Sequence, residues 1–246
     1  MTEAGPVRVA MWSGPRNIST AMMRAWENRP DTVVVDEPFY AAYLARTGIH
    51  HPAREEVIAS QPTAVDEVVA GLLAPLPPGR SVHYAKHMTH HHDPAQADLS
   101  WAAAFRNVLL IREPSEVVAS YVRSRESCEP EDIGLLQQAA IRDHLVAAGQ
   151  EPPVIDAGDF LRDPEGHLRW LCHWLGIEFT DRMLGWPAGP RESDGVWAPH
   201  WYDAVWSSTG FEPWRPREVD LNAHDAAVAE ACRPAYESLA AHRVRL

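Results

Sequence analysis

Residues 7–30, VRVAMWSGPRNISTAMMRAWENRP, constrain the fold more than any other stretch. Val7 to Trp12 is an apolar run of strand length. Ile18, Met22 and Trp26 then recur at i, i+4 and i+8, which is the spacing of one helix face. A short polar loop joins the two. The same alternation continues down the chain. TVVVDEPF reads as a second strand that stops at Pro38, and residues 64–73 as a helix ended by PLPPGR. SVHYAKHM and FRNVLLIREP read as the third and fourth strands. Pro114 opens a helix to about residue 124, since a proline in the first turn gives up only an N–H that would be unbonded there. Residues 133–148 are expected to be helical, PPVIDAGDF to carry a fifth strand, and residues 164–175 to form a helix ended by Gly176. Residues 225–241 read as the last helix. Strands alternating with helices predict an α/β fold, a central parallel sheet flanked by helices.

The segment 185–216 differs. It is rich in tryptophan and proline and has no clear period. Long irregular segments of compact domains are usually functional, so it is expected to be a lid or a substrate wall. With 246 residues the chain fits one domain, 1–246. A net charge of −12 argues against nucleic acid as a partner, because coating phosphates needs a broad basic face. It does not argue against a small anion held by a few arginines and a helix N-terminus. No apolar run approaches the roughly 20 residues that span a bilayer, and no signal peptide is visible. Cys128, Cys172 and Cys232 stand far apart, as expected of buried or surface thiols in a reducing, cytoplasmic setting.

In SGPRNISTA the strand exit faces a helix start, where unpaired N–H groups and the positive end of the helix dipole favour an anion. Arg16 sits inside the loop, and Ser19 and Thr20 open the helix. One guanidinium and two hydroxyls converge on one anion, and arginine can grip phosphate or sulfate oxygens in pairs. The Gly-Lys-Ser/Thr of a common nucleotide loop is absent, which weakens an ATP reading. The alternative is an ordinary strand–helix turn capped by Ser or Thr. The second informative stretch is RNVLLIREPSEVVASYVRSR. Arg112 ends a strand and Ser120 lies two turns into the next helix, so both can reach one phosphate. Alternatively Arg112 pairs with a nearby carboxylate and Ser120 is a small packing residue.

With these residues in order, the chain resembles the sulfotransferases that use 3′-phosphoadenosine 5′-phosphosulfate (PAPS). Pro15, Arg16, Asn17, Ile18, Ser19 and Thr20 match the family's Pro-Lys/Arg-Ser-Gly-Thr-Thr loop without a gap. AMMRAW is similar to the following helix of tyrosylprotein sulfotransferases. Arg112, Glu113, Pro114 and Ser120 match its Arg-Asp-Pro motif and downstream serine at the same spacing. DAGDFLRDPEGHLRWLCHWLGIEF looks like a third family segment, so the likeness runs from about Val7 to Phe179. It implies a three-layer P-loop-type fold, PAPS as donor, adenosine 3′,5′-bisphosphate (PAP) as product, and no metal. It assigns Arg16, with Ser19, Thr20 and the loop amides, to the 5′-phosphosulfate, and Arg112 with Ser120 to the ribose phosphate. Two departures stand out. Ile18 replaces a glycine, and isoleucine resists positive φ, so an altered loop is expected. The family's C-terminal Arg-Lys-Gly is missing, and Arg215 and Arg217 are its substitutes by chemistry.

The acceptor hydroxyl or amine needs a base. Glu37, at the end of the second strand, aligns with the catalytic glutamate of tyrosylprotein and several bacterial sulfotransferases, with Asp36 a weaker neighbour. Partial burial would raise its pKa towards neutrality. His87 is the other candidate, one position out of register with the Lys-Thr-His of cytosolic sulfotransferases. Lys86 matches that lysine and is expected to stabilise the transferring sulfuryl group. His87 and His91 could ligate a metal if they lay at i and i+4 of a helix, but a loop with His90 and His92 lining an acceptor pocket is the stronger reading. The tryptophans at 197, 201, 206 and 214 pack, or wall an apolar, aromatic or cationic acceptor. The expected partner is a small-molecule acceptor, with a homodimer left open. Two other functions remain at this point: a divergent or non-catalytic nucleotide-binding protein of the same fold, and a small-molecule P-loop kinase.

Overall fold

The computed structural model describes residues 5–92, 98–123 and 128–246. In chain order the regular elements are β1 (Val7–Ser13), α1 (Ser19–Glu27), β2 (Thr32–Asp36), α2 (Tyr40–Thr47), α3 (Arg54–Ser60) and α4 (Val65–Leu73). Then follow β3 (Val82–Met88), β4 (Arg106–Ile111), α5 (Pro114–Tyr121), α6 (Pro130–Ile133), α7 (Leu135–Ala147), β5 (Val154–Asp156) and α8 (Ala157–Arg162). The last are α9 (Pro164–Leu175), α10 (Ala198–Trp201), α11 (Asp203–Trp206) and α12 (Ala223–Ala240). The five strands form one parallel sheet in the order β2-β3-β1-β4-β5.

Side chains alternate across this sheet, so each strand feeds two cores. Ala10, Trp12, Ala85, Leu109 and Ile111 face one side, against α4, α5, α7 and α12. Val9, Met11, Val82, Tyr84, Val108 and Leu110 face the other, where α1 brings Met22, Met23 and Trp26 and α9 brings Leu168, Leu171 and Cys172. Both faces are covered, giving the expected three-layer α/β architecture. A smaller third cluster joins Tyr40, Ala41 and Leu44 of α2 to Val57, Trp197 and Tyr202, outside the sheet edge formed by β2.

Three elements differ from expectation. α2 and α3 were given no assignment from the sequence; their apolar Tyr40, Ala41, Leu44 and Val57 pack with Trp197 and Tyr202 rather than on the sheet. The helix expected over 133–148 is split at Gly134, whose φ of 77° no β-substituted residue adopts readily. A Cβ on Gly134 would lie 2.6 Å from Thr89 Oγ1, and one on Gly14 would lie 2.4 Å from the Ile133 carbonyl oxygen. The loop after β1 therefore rests on the α6–α7 turn with backbone against backbone. The segment 185–216 holds α10 and α11 and buries Trp186 and Trp197. The expected end of the helix from Pro114, near residue 124, lies outside the described residues; α5 itself ends at Tyr121. Among the described residues no helix is long and apolar enough to cross a membrane.

Candidate active site

At the carboxyl ends of the strands a cleft of about 330 Å³ is lined by Pro15 to Ala21, Glu37, Lys86, Arg112, Ser120 and Arg217, with residues of α2 and of the wall segment opposite. The loop between β1 and α1 explains how a chain with isoleucine at position 18 keeps its shape. The residue in the left-handed region is Arg16, with φ of 53°. Ile18 has φ of −84°, so the strain expected there does not arise. This removes the reason for expecting an altered loop. Asn17 holds the turn: its Oδ1 accepts from the Ile18 N–H at 2.8 Å, and its Nδ2 donates to the Leu110 carbonyl at 3.0 Å. No side chain caps α1, so the N–H groups of its first turn are left for a ligand at the positive end of the helix.

Arg16, Arg112 and Ser120 all line this cleft, with Ser120 bonded to Arg16 where the spacing had paired it with Arg112. Arg16 Nε donates to Ser120 Oγ at 3.2 Å. Arg112 Nη1 donates to the Arg16 carbonyl at 2.7 Å, while its Nε and Nη2 donate to Glu116 Oε2 at 3.0 and 2.8 Å. Arg112 thus pairs with a carboxylate, the alternative reading, while also lining the cleft. Burial lowers the pKa of Arg16, and Arg123 and Arg112 lower it further. Arg112 is lowered in the same way, first by burial and then by Arg217 and Arg123 against the opposing pull of Glu116. Arg16, Arg112, Arg123 and Arg217 thus stand close enough to depress one another, an arrangement that suits an anion. Arg123 was not singled out from sequence, although it lies in YVRSR three residues after Ser120. Arg217 lines the main cleft and Arg215 the adjoining cavity of about 440 Å³, which shares Arg112, Leu161, Glu212 and Arg217 with it.

The other end of the cleft carries a buried ionic cluster. Lys86 is 1% exposed, and its Nζ donates to Asp36 Oδ1 and Glu37 Oε1, both at 2.8 Å, and to the Tyr202 hydroxyl at 2.6 Å. Tyr202 in turn donates to Asp36 Oδ2 at 2.6 Å and accepts from Trp197 Nε1 at 3.3 Å. Glu37 stands at φ of 42°, and its N–H donates to the Lys86 carbonyl at 3.0 Å. A non-glycine residue held there is costly and is characteristic of functional sites. Burial raises the Glu37 pKa, and Lys86 only partly reverses this. Burial works against the Lys86 charge, but Asp36 and Glu37 outweigh it and hold Lys86 cationic. The ammonium's three donors are thus all taken, so it can meet a sulfuryl group only by releasing a partner. Glu37 Oε2 faces His91 Nε2 at 3.9 Å, and burial and the neighbouring histidines keep that ring neutral. Oε2 is the carboxylate oxygen turned from Lys86.

His87 does not line the cleft. Strand alternation sends Lys86 to the cleft side of β3 and His87 to the opposite side, where it stacks on Trp12 with ring centres 4.5 Å apart. The one-residue register shift noted in the sequence has this physical meaning: the histidine falls on the wrong face for a base. His92 follows it, edge-on to Trp12 and Phe39. His91 instead stacks between Tyr40 and Tyr43, and His90 and His91 line the cleft. The histidines diverge because β3 runs into a one-turn helix over Thr89–His91, so the i, i+4 helical pair does not form. Among the described residues no three of His, Cys, Asp and Glu cluster as a metal site would.

Two of the contacts that tie the wall segment to the rest of the molecule are buried and polar. One is Tyr202. The other is Asp194, whose Oδ1 receives Nη2 of the buried Arg24 of α1 at 2.5 Å and whose Oδ2 receives Trp206 Nε1 at 2.9 Å. Tyr202 was not singled out from sequence; its signal was only an aromatic residue within an unperiodic stretch. Replacing it with phenylalanine leaves Asp36 Oδ2 and the Lys86 ammonium each short of a partner. Tyr202→Phe is expected to cost about 1–3 kcal/mol of unfolding free energy in urea; a loss under about 0.5 kcal/mol would show that water replaces the hydroxyl freely.

The chain matches the sulfotransferase domain family over residues 7–243. It is similar to branched-chain-amino-acid aminotransferase-like proteins 1 and 2 of Arabidopsis thaliana, with 36% identity over 97% of the chain and 35% over 94%. It spans only 42% and 41% of the length of those two proteins. Among solved structures it resembles a sulfotransferase of Alicyclobacillus acidocaldarius, with a TM-score of 0.59, 15% identity and 98% of each chain covered. It also resembles the sulfotransferase domain from the curacin biosynthetic pathway, with a TM-score of 0.57, 16% identity, and 93% of this chain and 98% of that one covered. These structural likenesses bear on the fold. The family match along nearly the whole sequence establishes that the chain belongs to the sulfotransferase domain family.

Proposed function

We propose that this chain moves a sulfuryl group from PAPS to a hydroxyl or amine of a small-molecule acceptor. The observation that carries the reading is one continuous cleft with Arg16, Arg112 and Arg217 at one end and the buried carboxylate of Glu37 at the other. Glu37 follows β2 and Arg112 follows β4, with β3 and β1 between them. Three strand spacings put the ends about 14 Å apart, which suits a nucleotide end to end with an acceptor.

PAPS supplies a sulfuryl group already joined to a phosphate that can leave. The residues of the chain divide the remaining work. Arg16, the Ser19 and Thr20 hydroxyls and the open first turn of α1 meet the 5′-phosphate, where negative charge grows as the group departs. Arg112 and Ser120 hold the ribose phosphate, with Arg217 and Arg215 beside them. Arg112 also donates to the Arg16 carbonyl, so the two anion subsites are mechanically joined. Glu37 Oε2 takes the proton of the acceptor, and Lys86 fixes Glu37 through its other oxygen. Lys86 acts in this scheme as the anchor of the base. PAP at about 100 times its dissociation constant is expected to stabilise the fold by roughly 2.7 kcal/mol, read as a rise in melting temperature. Mg²⁺-ATP should give a much smaller rise. The reading fails if ATP stabilises strongly and PAP does not.

A further inference from the structure

Helix α5 presents Glu116 and Ser120 one turn apart on the same face. Each holds one of the cleft arginines. Ser120 Oγ accepts from Arg16 Nε at 3.2 Å, and Glu116 Oε2 accepts from Arg112 Nε and Nη2 at 3.0 and 2.8 Å. The start of this helix is itself fixed. Glu113 Oε2 accepts from the Glu116 N–H at 3.1 Å, and Arg233 of α12 donates to Glu113 Oε1 at 3.1 Å. The Glu116 carboxylate is thus carried on backbone tied to the far helix. Its side chain is 25% exposed, against 11% for Arg112.

A guanidinium has five N–H groups. On Arg112 two go to Glu116, and one, from Nη1, goes to the Arg16 carbonyl at 2.7 Å. The other two, one on each terminal nitrogen, have no partner among the described residues, and Arg112 lines both the cleft and the adjoining cavity. Glu116 therefore grips one edge of the fork and leaves N–H groups for an anion. It also opposes the repulsion that Arg16, Arg123 and Arg217 exert on Arg112. Without it, the long side chain is free to turn away from the other cations. The same carboxylate repels an incoming phosphate, so two effects compete. A part-exposed carboxylate is screened by water and salt. Charge-assisted hydrogen bonds from an arginine depend on the direction of the guanidinium plane. Orientation therefore outweighs repulsion.

Resting on the donor site proposed above, we infer that Glu116 is a positioning residue for the donor: it holds the Arg112 guanidinium by one edge so that the remaining N–H groups meet the ribose phosphate. The test is calorimetric titration of the full chain with PAP and with adenosine 5′-monophosphate, which lacks that phosphate. Glu116→Ala should weaken PAP binding about tenfold and the monophosphate by less than about threefold, so that the preference for PAP shrinks. Glu116→Gln, whose amide oxygen can still accept from the fork, should recover most of that preference. Binding of the monophosphate shows that each variant is folded, and a merely structural role would weaken both nucleotides alike. The inference is overturned if Glu116→Ala keeps or raises the preference for PAP, which would make the carboxylate a competitor of the phosphate. It is equally overturned if both nucleotides weaken together, or if glutamine recovers nothing. The wild type is titrated first. If it binds PAP no more tightly than the monophosphate, the placement of the ribose phosphate at Arg112 fails, and the role of Glu116 falls with it. That result is separate from a loss seen only in the variants.

Discussion

Glu37→Gln should lower kcat by about 10²–10⁴ while the dissociation constant for PAP stays within about twofold. The substitution is nearly isosteric, and glutamine keeps an oxygen for Lys86, whose bond to Glu37 Oε1 is 2.8 Å long. What is lost is the basicity of Oε2, the oxygen turned from Lys86 and standing 3.9 Å from His91 Nε2. The pH dependence supplies a second signature. Burial raises the Glu37 pKa above the ordinary carboxylate range, and Asp36 adds to the rise while Lys86 opposes it. A base works only when deprotonated, so the wild-type rate should fall as pH drops through that raised value. Glu37→Gln should flatten this acid limb. A variant with kcat within threefold of wild type, or with the same acid limb, would remove Glu37 from the role. Lys86 could not inherit it, because a cation held charged by two carboxylates has no lone pair to offer.

Much of the fold was legible because its signals are local. The alternation of strand and helix, Pro114 at a helix start and Gly176 at a helix end each act through one or two residues. The arginine end of the cleft was legible for the same reason: residues 15–20 are contiguous, and Arg112 and Ser120 share one strand–helix unit. What sequence could not supply was position across the sheet. Lys86 and His87 are neighbours in the chain, yet pleating puts one in the cleft and the other against Trp12. The Ile18 expectation failed on a related point. Which loop residue takes positive φ depends on where Asn17 anchors, and that partner, the Leu110 carbonyl, is on another strand. Tyr202 is 116 residues from Lys86, so nothing in either neighbourhood announces their bond. Non-periodic segments hide their contacts because their packing is dictated by what they cover.

The protein should unfold cooperatively in mild acid, between about pH 6.5 and 4, and the cause lies in the histidines behind the sheet. His83, His87 and His92 are 3%, 1% and 5% exposed. Burial lowers His83 to about 4, with Arg8 adding to the effect, and His92 to about 3, with Arg46 and His90 adding to it. His87 is lowered as well, by burial first and then by His92 and His83. The unfolded chain protonates histidine near pH 6.5, so below that value it binds protons that the folded state refuses. Stability is therefore full above pH 6.5 and is lost as pH falls towards the folded values. Each such histidine costs about 1.4 kcal/mol per pH unit, so His83 and His92 together remove about 5 kcal/mol by pH 4.5. Total stability of a domain is about 5–15 kcal/mol, which makes that loss decisive. Glu37 and Asp156, both raised by burial, act in the opposite sense as pH falls through their raised values. Neither ring nitrogen of His87 has a hydrogen-bond partner among the described residues, so phenylalanine can replace it against Trp12 without stranding a partner. His87→Phe and His92→Phe should each move the acid midpoint, followed by circular dichroism, to lower pH. A fold intact at pH 4 with an unchanged melting temperature would mean that these rings accept protons in place. The midpoint also bounds the rate measurement on Glu37: an acid limb above the unfolding range reports the base, and one coincident with it reports the histidines.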